Sequence, residues 1–129
     1  MSTIKANDIQ NASGGIPTVK GQRLIPKTWV NFKGTEAEAI RDSENVSSLT
    51  DVGVGKYTVN FTTAMTNVNY SASGSCGANT GTSGAATVCI RPYLWATSSL
   101  SFTTNFATAS QNADFDFETV NLTILGGQA

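Results

Sequence analysis

From residue 27 onward, apolar and polar residues mostly alternate with period two. Lys27-Thr28-Trp29-Val30-Asn31-Phe32 puts Val30 and Phe32 on one face, and Tyr57, Val59 and Phe61 alternate with Thr58, Asn60 and Thr62. This is the pattern of strands with one buried face. Val46–Thr50 and Lys56–Thr63 flank Asp51-Val52-Gly53-Val54-Gly55, whose two glycines accept positive φ, so the spacing predicts a β-hairpin with its register set there. Further strands are expected over 68–73, 86–95, 100–106 and 115–125, at the short regular spacing of a sandwich or barrel. In the last of these, Phe115 and Phe117 occupy odd positions while Val120, Leu122 and Ile124 occupy even ones, a phase change that a bulge near Glu118-Thr119 would reconcile. Glu36–Arg41 has helix-forming composition but falls short of the roughly 12–15 residues an autonomous helix needs, so a single helical turn is expected.

Residues 1–26 read differently. They contain Asn11-Ala12-Ser13-Gly14-Gly15-Ile16-Pro17 and then Pro26, with isolated apolar residues between. Such a stretch cannot bury enough apolar surface by itself to offset its ordering entropy, so it is expected to be an extended arm that docks on a partner. The fold class expected is all-β: an antiparallel β-sandwich of jelly-roll type over residues 27–129, preceded by that arm.

Composition narrows the function. Only 13% of the 129 residues are charged, about half the roughly 25% usual in soluble domains, while 18 Thr, 13 Ser and 11 Asn supply neutral polarity. A net charge of −1 argues against nucleic-acid binding, which rests on Lys and Arg neutralising phosphates. The chain has no histidine, which excludes Ser-His-Asp and Cys-His catalysis and His-ligated metal sites. No apolar run approaches the ~20 residues of a membrane-spanning helix, and Met1–Lys5 lacks the apolar segment of a secretory signal. Neither membrane insertion nor a cofactor is expected, and an enzyme is not expected. Residues 1–56 hold seven of the eight basic and six of the nine acidic side chains, whereas 57–113 hold only Arg91.

Trp29-Val30-Asn31-Phe32-Lys33-Gly34-Thr35, then Ala39-Ile40-Arg41-Asp42-Ser43, Asn45-Val46-Ser47-Ser48-Leu49-Thr50-Asp51, Gly53, Gly55, Tyr57–Met65 and Asn69-Tyr70 resemble a module of bacteriophage tail-fibre and related virion proteins, common in phages of aquatic bacteria. Ser2–Asn11 is similar to the start of such proteins. The matches cover about half of the chain, and Ile40–Phe61 is the specific part. From Ser71 onward only the style agrees, a Gly/Ser-rich stretch followed by closing strands. The resemblance implies a homotrimer on the outer surface of a virion. Its usual setting is the distal part of a long fibre, whereas here the module follows a short arm. That difference favours a capsid-decorating or cement protein, or a short head fibre, held to the major capsid protein or another virion protein by the arm. Ile4, Lys5, Ile9, Lys20, Arg23 and Leu24 are the candidate arm contacts, and Lys5, Lys20, Arg23 and Lys27 give the arm positive charge to complement an acidic partner. The alternative is a fibre tip that binds a host receptor or surface glycan, with the 72–87 loop and exposed aromatics as contact surface.

Other residues carry competing readings. Cys76 and Cys89 bracket a Gly/Ser/Thr-rich loop; a possible disulfide between them would contribute roughly 2–3 kcal/mol, while maturation in a reducing cytoplasm favours two free thiols. Asp114, Asp116 and Glu118 alternate with phenylalanines and would share one strand face, either as a solvated face or as part of a calcium shell. Glu36, Glu38, Asp42 and Glu44 could in principle hold a glycosidase pair but lie in a segment expected to be exposed beside Lys33 and Arg41. Trp29, Tyr70, Tyr93, Trp95 and Phe102 could stack on sugar rings or fill the core or a subunit interface. Arg91-Pro92 marks an edge strand or bulge, with Arg91 expected to pair across an interface or with a C-terminal carboxylate.

Overall fold

The computed structural model describes residues 26–77, 87–108 and 112–127. Most of the expected arm, and residues 78–86 of the expected contact loop, lie outside these residues. In chain order the described residues form β1 (Thr28–Lys33), β2 (Ala39–Glu44), β3 (Val46–Gly53), β4 (Lys56–Phe61), β5 (Tyr70–Gly77), β6 (Thr87–Trp95), β7 (Ser99–Ala107), β8 (Asn112–Asp114) and β9 (Thr119–Gly126), with no helix among them. Two antiparallel sheets, ordered β2-β1-β9-β5 and β3-β4-β7-β6, pack into a sandwich around one apolar cluster, and β8 prolongs the second sheet beside β7 where β4 ends.

Each sheet places its alternate apolar residues inward. Val30, Phe32, Val120, Leu122 and Ile124 from the first sheet meet Tyr57, Val59, Leu100 and Phe102 from the second, all essentially inaccessible to solvent. Burial of each such side chain contributes roughly 1.5–3 kcal/mol. The rings of Phe32 and Tyr57 meet edge to face at 5.0 Å, and Phe102 closes the trio at 6.2 Å and 5.9 Å, so the two sheets are joined through aromatic contacts.

The winding is jelly-roll-like. First and last strands pair as β1–β9, β4 pairs with β7, and β5 and β6 flank them in opposite sheets, so an antiparallel ribbon wraps the core. The roll has fewer turns than the eight-stranded form, and β2 and β3 extend one edge of each sheet. The β3–β4 hairpin forms over Asp51–Gly55 as expected, with Gly53 at φ 144° and Gly55 at φ 62°. Gly55 also meets a second constraint, because a Cβ there would stand 2.5 Å from the Phe115 amide nitrogen.

Two local expectations are corrected. Glu36–Arg41 forms no helical turn: the stretch bends at Glu36, which takes a φ of 58°, and Ala39 onward pairs with β1. Sheet pairing there outweighs the helical propensity of a six-residue stretch. The phase change after Phe117 is not a bulge within one strand. β8 belongs to one sheet and β9 to the other, and Phe115–Phe117 is the crossing between them, so each side of the crossing follows its own alternation.

A single residue, Asn45, carries the chain from β2 in the first sheet to β3 in the second. Its φ of 58° is left-handed, a region that asparagine tolerates better than most residues. Its amide donates to Thr28 Oγ1 at 2.9 Å and to the Thr63 carbonyl at 3.1 Å, and its Oδ1 accepts the Thr63 amide at 2.7 Å. Asn45→Ala removes all three bonds and places a less tolerant residue in the left-handed region, so chemical denaturation should show a loss of roughly 2–4 kcal/mol. Asn45→Gly keeps the backbone relaxed and should lose less. Equal losses for the two would mean that the left-handed conformation contributes nothing.

Candidate functional site

The three alternating carboxylates of the C-terminal segment separate instead of sharing a face. Asp114 lies between Lys56 and Arg91 at 3.9 Å and 3.8 Å. Asp116 turns inward, where Oδ1 accepts the Gly55 amide at 2.6 Å and lies 2.8 Å from the Tyr57 hydroxyl, whose one proton it shares with the Gly34 carbonyl at 2.9 Å. Glu118 binds Arg41 at 2.8 Å and accepts the Thr35 hydroxyl at 2.6 Å. The chain crosses between sheets at this point, so the period-two alternation that would have aligned them is broken. Among the described residues no set of three or more acidic or cysteine side chains is arranged to hold a metal ion. Burial, with the Asp116 carboxylate alongside, pushes the Tyr57 phenol far above its ordinary value.

The acidic residues of 36–44 line the rim of the sandwich where β2 and β3 run side by side. Glu36 pairs with Lys33 at 2.9 Å, which lowers its carboxyl below the ordinary range. A hydrogen bond to Asp51, with burial and the charge of that carboxylate, holds Glu38 above it. Asp42 and Glu44 lie on β2, opposite Asn31 and Trp29 of β1.

The five aromatic candidates divide. Phe102 and Tyr70 belong to the core, and the Tyr70 hydroxyl, 2.9 Å and 3.1 Å from the carbonyls of Ala96 and Ser99, ties down the β6–β7 hairpin. Trp29 is half-buried between Glu44 and Thr123. Only Tyr93 and Trp95 are well exposed, and with Leu94 they form an apolar strip on β6 with 41–57% of each residue accessible. As expected, β6 is an edge strand and its register shifts between Pro92 and Leu94. Arg91 faces Asp114 within its own chain.

Cys76 and Cys89 are both free in this structure, so the possible disulfide is not formed. Their strands lie side by side, yet Cys76 points into the core and Cys89 out to solvent, and the Cys76 thiol donates to the Cys89 carbonyl at 3.7 Å. Burial, with the Cys89 charge adding to it, pushes the Cys76 thiol up to about 11.

Individual sequence motifs do not reveal how the outer faces are finished. Asn31 donates to Asn121, whose own amide donates to Ser75 at 3.3 Å, forming a ladder across β1, β9 and β5. On the second sheet Thr58 bonds Ser101 at 2.8 Å, and the Asn60 amide donates to Ser48 and Thr50, each at 3.0 Å. Both surfaces thus satisfy much of their polarity internally with neutral groups. The signal in the sequence is Asn, Ser or Thr at outward positions of six strands, which only the register brings into rows.

At neutral pH a thiol reagent should modify Cys89 in the native protein and spare Cys76 until the chain is unfolded, as mass spectrometry of labelled peptides would show. Equal labelling would contradict the burial of Cys76. Glu38 carries the opposite linkage to an ordinary paired carboxylate. Its folded-state value lies above the 4.5 ordinary for a glutamate, so the stability it contributes is complete below that value and is lost as pH rises through the folded-state value. Glu38→Gln should therefore flatten the decline in stability above about pH 4.5 and raise the neutral-pH melting temperature relative to the parent. An unchanged or steeper decline would refute the contact with Asp51.

Compared with protein-family models, with curated proteins and with solved structures, the chain finds no match.

Proposed function

We propose that the chain is a structural protein of the outer surface of a bacteriophage particle, a capsid-decorating or cement module or short head fibre that self-associates and is fastened by its N-terminal arm. The resemblance of Ile40–Phe61 to phage fibre modules underlies this reading. The structural observation that carries it is the pair of hydrogen-bonded neutral ladders on the outer faces. A surface of this kind has little charge to attract bystanders and few unsatisfied groups to bind them, as suits a coat that contacts the environment without reacting with it. The fastening partner is the major capsid protein or another virion protein.

A second reading, a tip that binds a host surface glycan, is favoured by the apolar Tyr93–Leu94–Trp95 strip, since exposed aromatic side chains can stack on sugar faces.

Quantifying the chain in purified particles of the phage that encodes it separates these readings. Many copies on the head support decoration, a few copies at the tail support the tip, and absence from the particle overturns both.

A further inference from the structure

We infer that the free edge of β2 is the docking site for the proximal part of the N-terminal arm, residues 18–25, of a second copy of this chain. The inference deepens the self-association in the proposed function and rests on that part of it.

The four sheet edges are not equivalent. β5 and β6 shield each other across one side of the sandwich, where Cys76 reaches the Cys89 carbonyl. β6 is further interrupted by Pro92, and the pairing of β3 shifts register twice. Among the described residues β2 pairs only with β1; its first four residues are exposed, it contains no proline, and its pairing shifts register once, with Arg41 as the extra residue between Ile40 and Asp42. An uncovered edge of this type presents unpaired backbone donors and acceptors to any extended chain of matching character.

Charge supplies that character. Glu38, Asp42 and Glu44 lie along or just before β2, with Asp51 on the neighbouring β3. The cations nearest them in sequence are committed elsewhere: Lys33 to Glu36 at 2.9 Å, and Arg41 to Glu118 at 2.8 Å and Thr119 at 3.0 Å. Among the described residues the rim is therefore acidic without local compensation. Thr18-Val19-Lys20-Gly21-Gln22-Arg23-Leu24-Ile25 is the converse: two cations, no carboxylate, apolar residues on both sides of a period-two alternation, and no internal proline. Gly14-Gly15-Ile16-Pro17 separates it from Ser2–Ser13, which stays available for a virion partner.

Chain direction selects a second copy over the same one. The Lys27 amide still donates to the Ile124 carbonyl at 3.0 Å, so the chain enters in line with β1. Folding back onto its own β2 would require a reversal near Pro26 and would leave the arm parallel to β2 in an otherwise antiparallel sheet, the less stable arrangement. An arm from a neighbouring copy can arrive antiparallel. Only Pro26 and Lys27 separate residue 25 from β1, so the neighbouring copy must lie directly against the end of the sandwich at which the chain enters. Arm-to-edge contact joins unlike surfaces, so copies form a reciprocal pair, a ring or an open chain.

The test is sedimentation of the full chain at about 100 μM, where a contact with a Kd in the micromolar range is well populated. The unaltered protein should sediment as an oligomer at about 0.05 M salt and dissociate toward monomer at about 1 M, where the screening length falls to roughly 3 Å. Lys20→Glu with Arg23→Glu, or Asp42→Lys with Glu44→Lys, should each weaken association at least tenfold, and the chain carrying all four changes should recover it. A monomeric parent, an oligomer indifferent to either pair of changes, or failure of the combined chain to reassociate would each overturn the inference. Loss of association in a protein still incorporated into particles would leave the virion reading standing, whereas an oligomer absent from particles would remove that reading alone.

Discussion

Tyr57 must be buried and hydrogen-bonded at once, and much of the sandwich is arranged around that requirement. Its ring packs against Phe32 of the facing sheet and Phe102 of its own, while its hydroxyl sits between the Gly34 carbonyl and Asp116. A buried hydroxyl without partners would cost about 1–3 kcal/mol, so the loop after β1 and the crossing before β9 must both approach it. Gly34 allows this closeness, since a Cβ there would fall 2.6 Å from the Tyr57 oxygen. Asp116 then captures the Gly55 amide, binding the tip of the β3–β4 hairpin to the same point. Three connections far apart in sequence thus converge on one phenol.

The opposite end of the sandwich uses a different device. There Asn45 turns the chain between sheets while Tyr70 anchors the β6–β7 hairpin. Each end is therefore held by a polar side chain that satisfies backbone groups, and the apolar middle is left to pack. Between them β7 is buried on both faces. Leu100, Phe102 and Thr104 point inward, and Ser101, Thr103 and Asn105 on the opposite face are also nearly inaccessible to solvent.

Period-two alternation made β1, β4 and β7 legible, and two glycines announced the β3–β4 turn. The proline in β6 announced an edge. What alternation could not convey was where the chain changes sheets. Asn45 interrupts a strand-like run without a glycine or proline, and Phe115–Phe117 looks locally like more strand. Both crossings are settled by contacts with residues distant in the chain, Thr28 and Thr63 for one and Thr104 and Gly55 for the other. The candidate site shares this limit. Exposure of Tyr93 and Trp95, the separation of Asp114, Asp116 and Glu118, and the outward turn of Cys89 follow from register and crossing, which a one-dimensional pattern does not contain.

The pairing of Thr28 with Ile124 brings the first and last strands together side by side in the middle of one sheet. The polypeptide enters and leaves the sandwich at the same end and within a strand spacing, about 5 Å. A domain with this geometry needs no more room in a host chain than a tight loop does. It can be transplanted into a surface turn of an unrelated scaffold, or its ends joined and new ones opened elsewhere, without pulling its sheets apart.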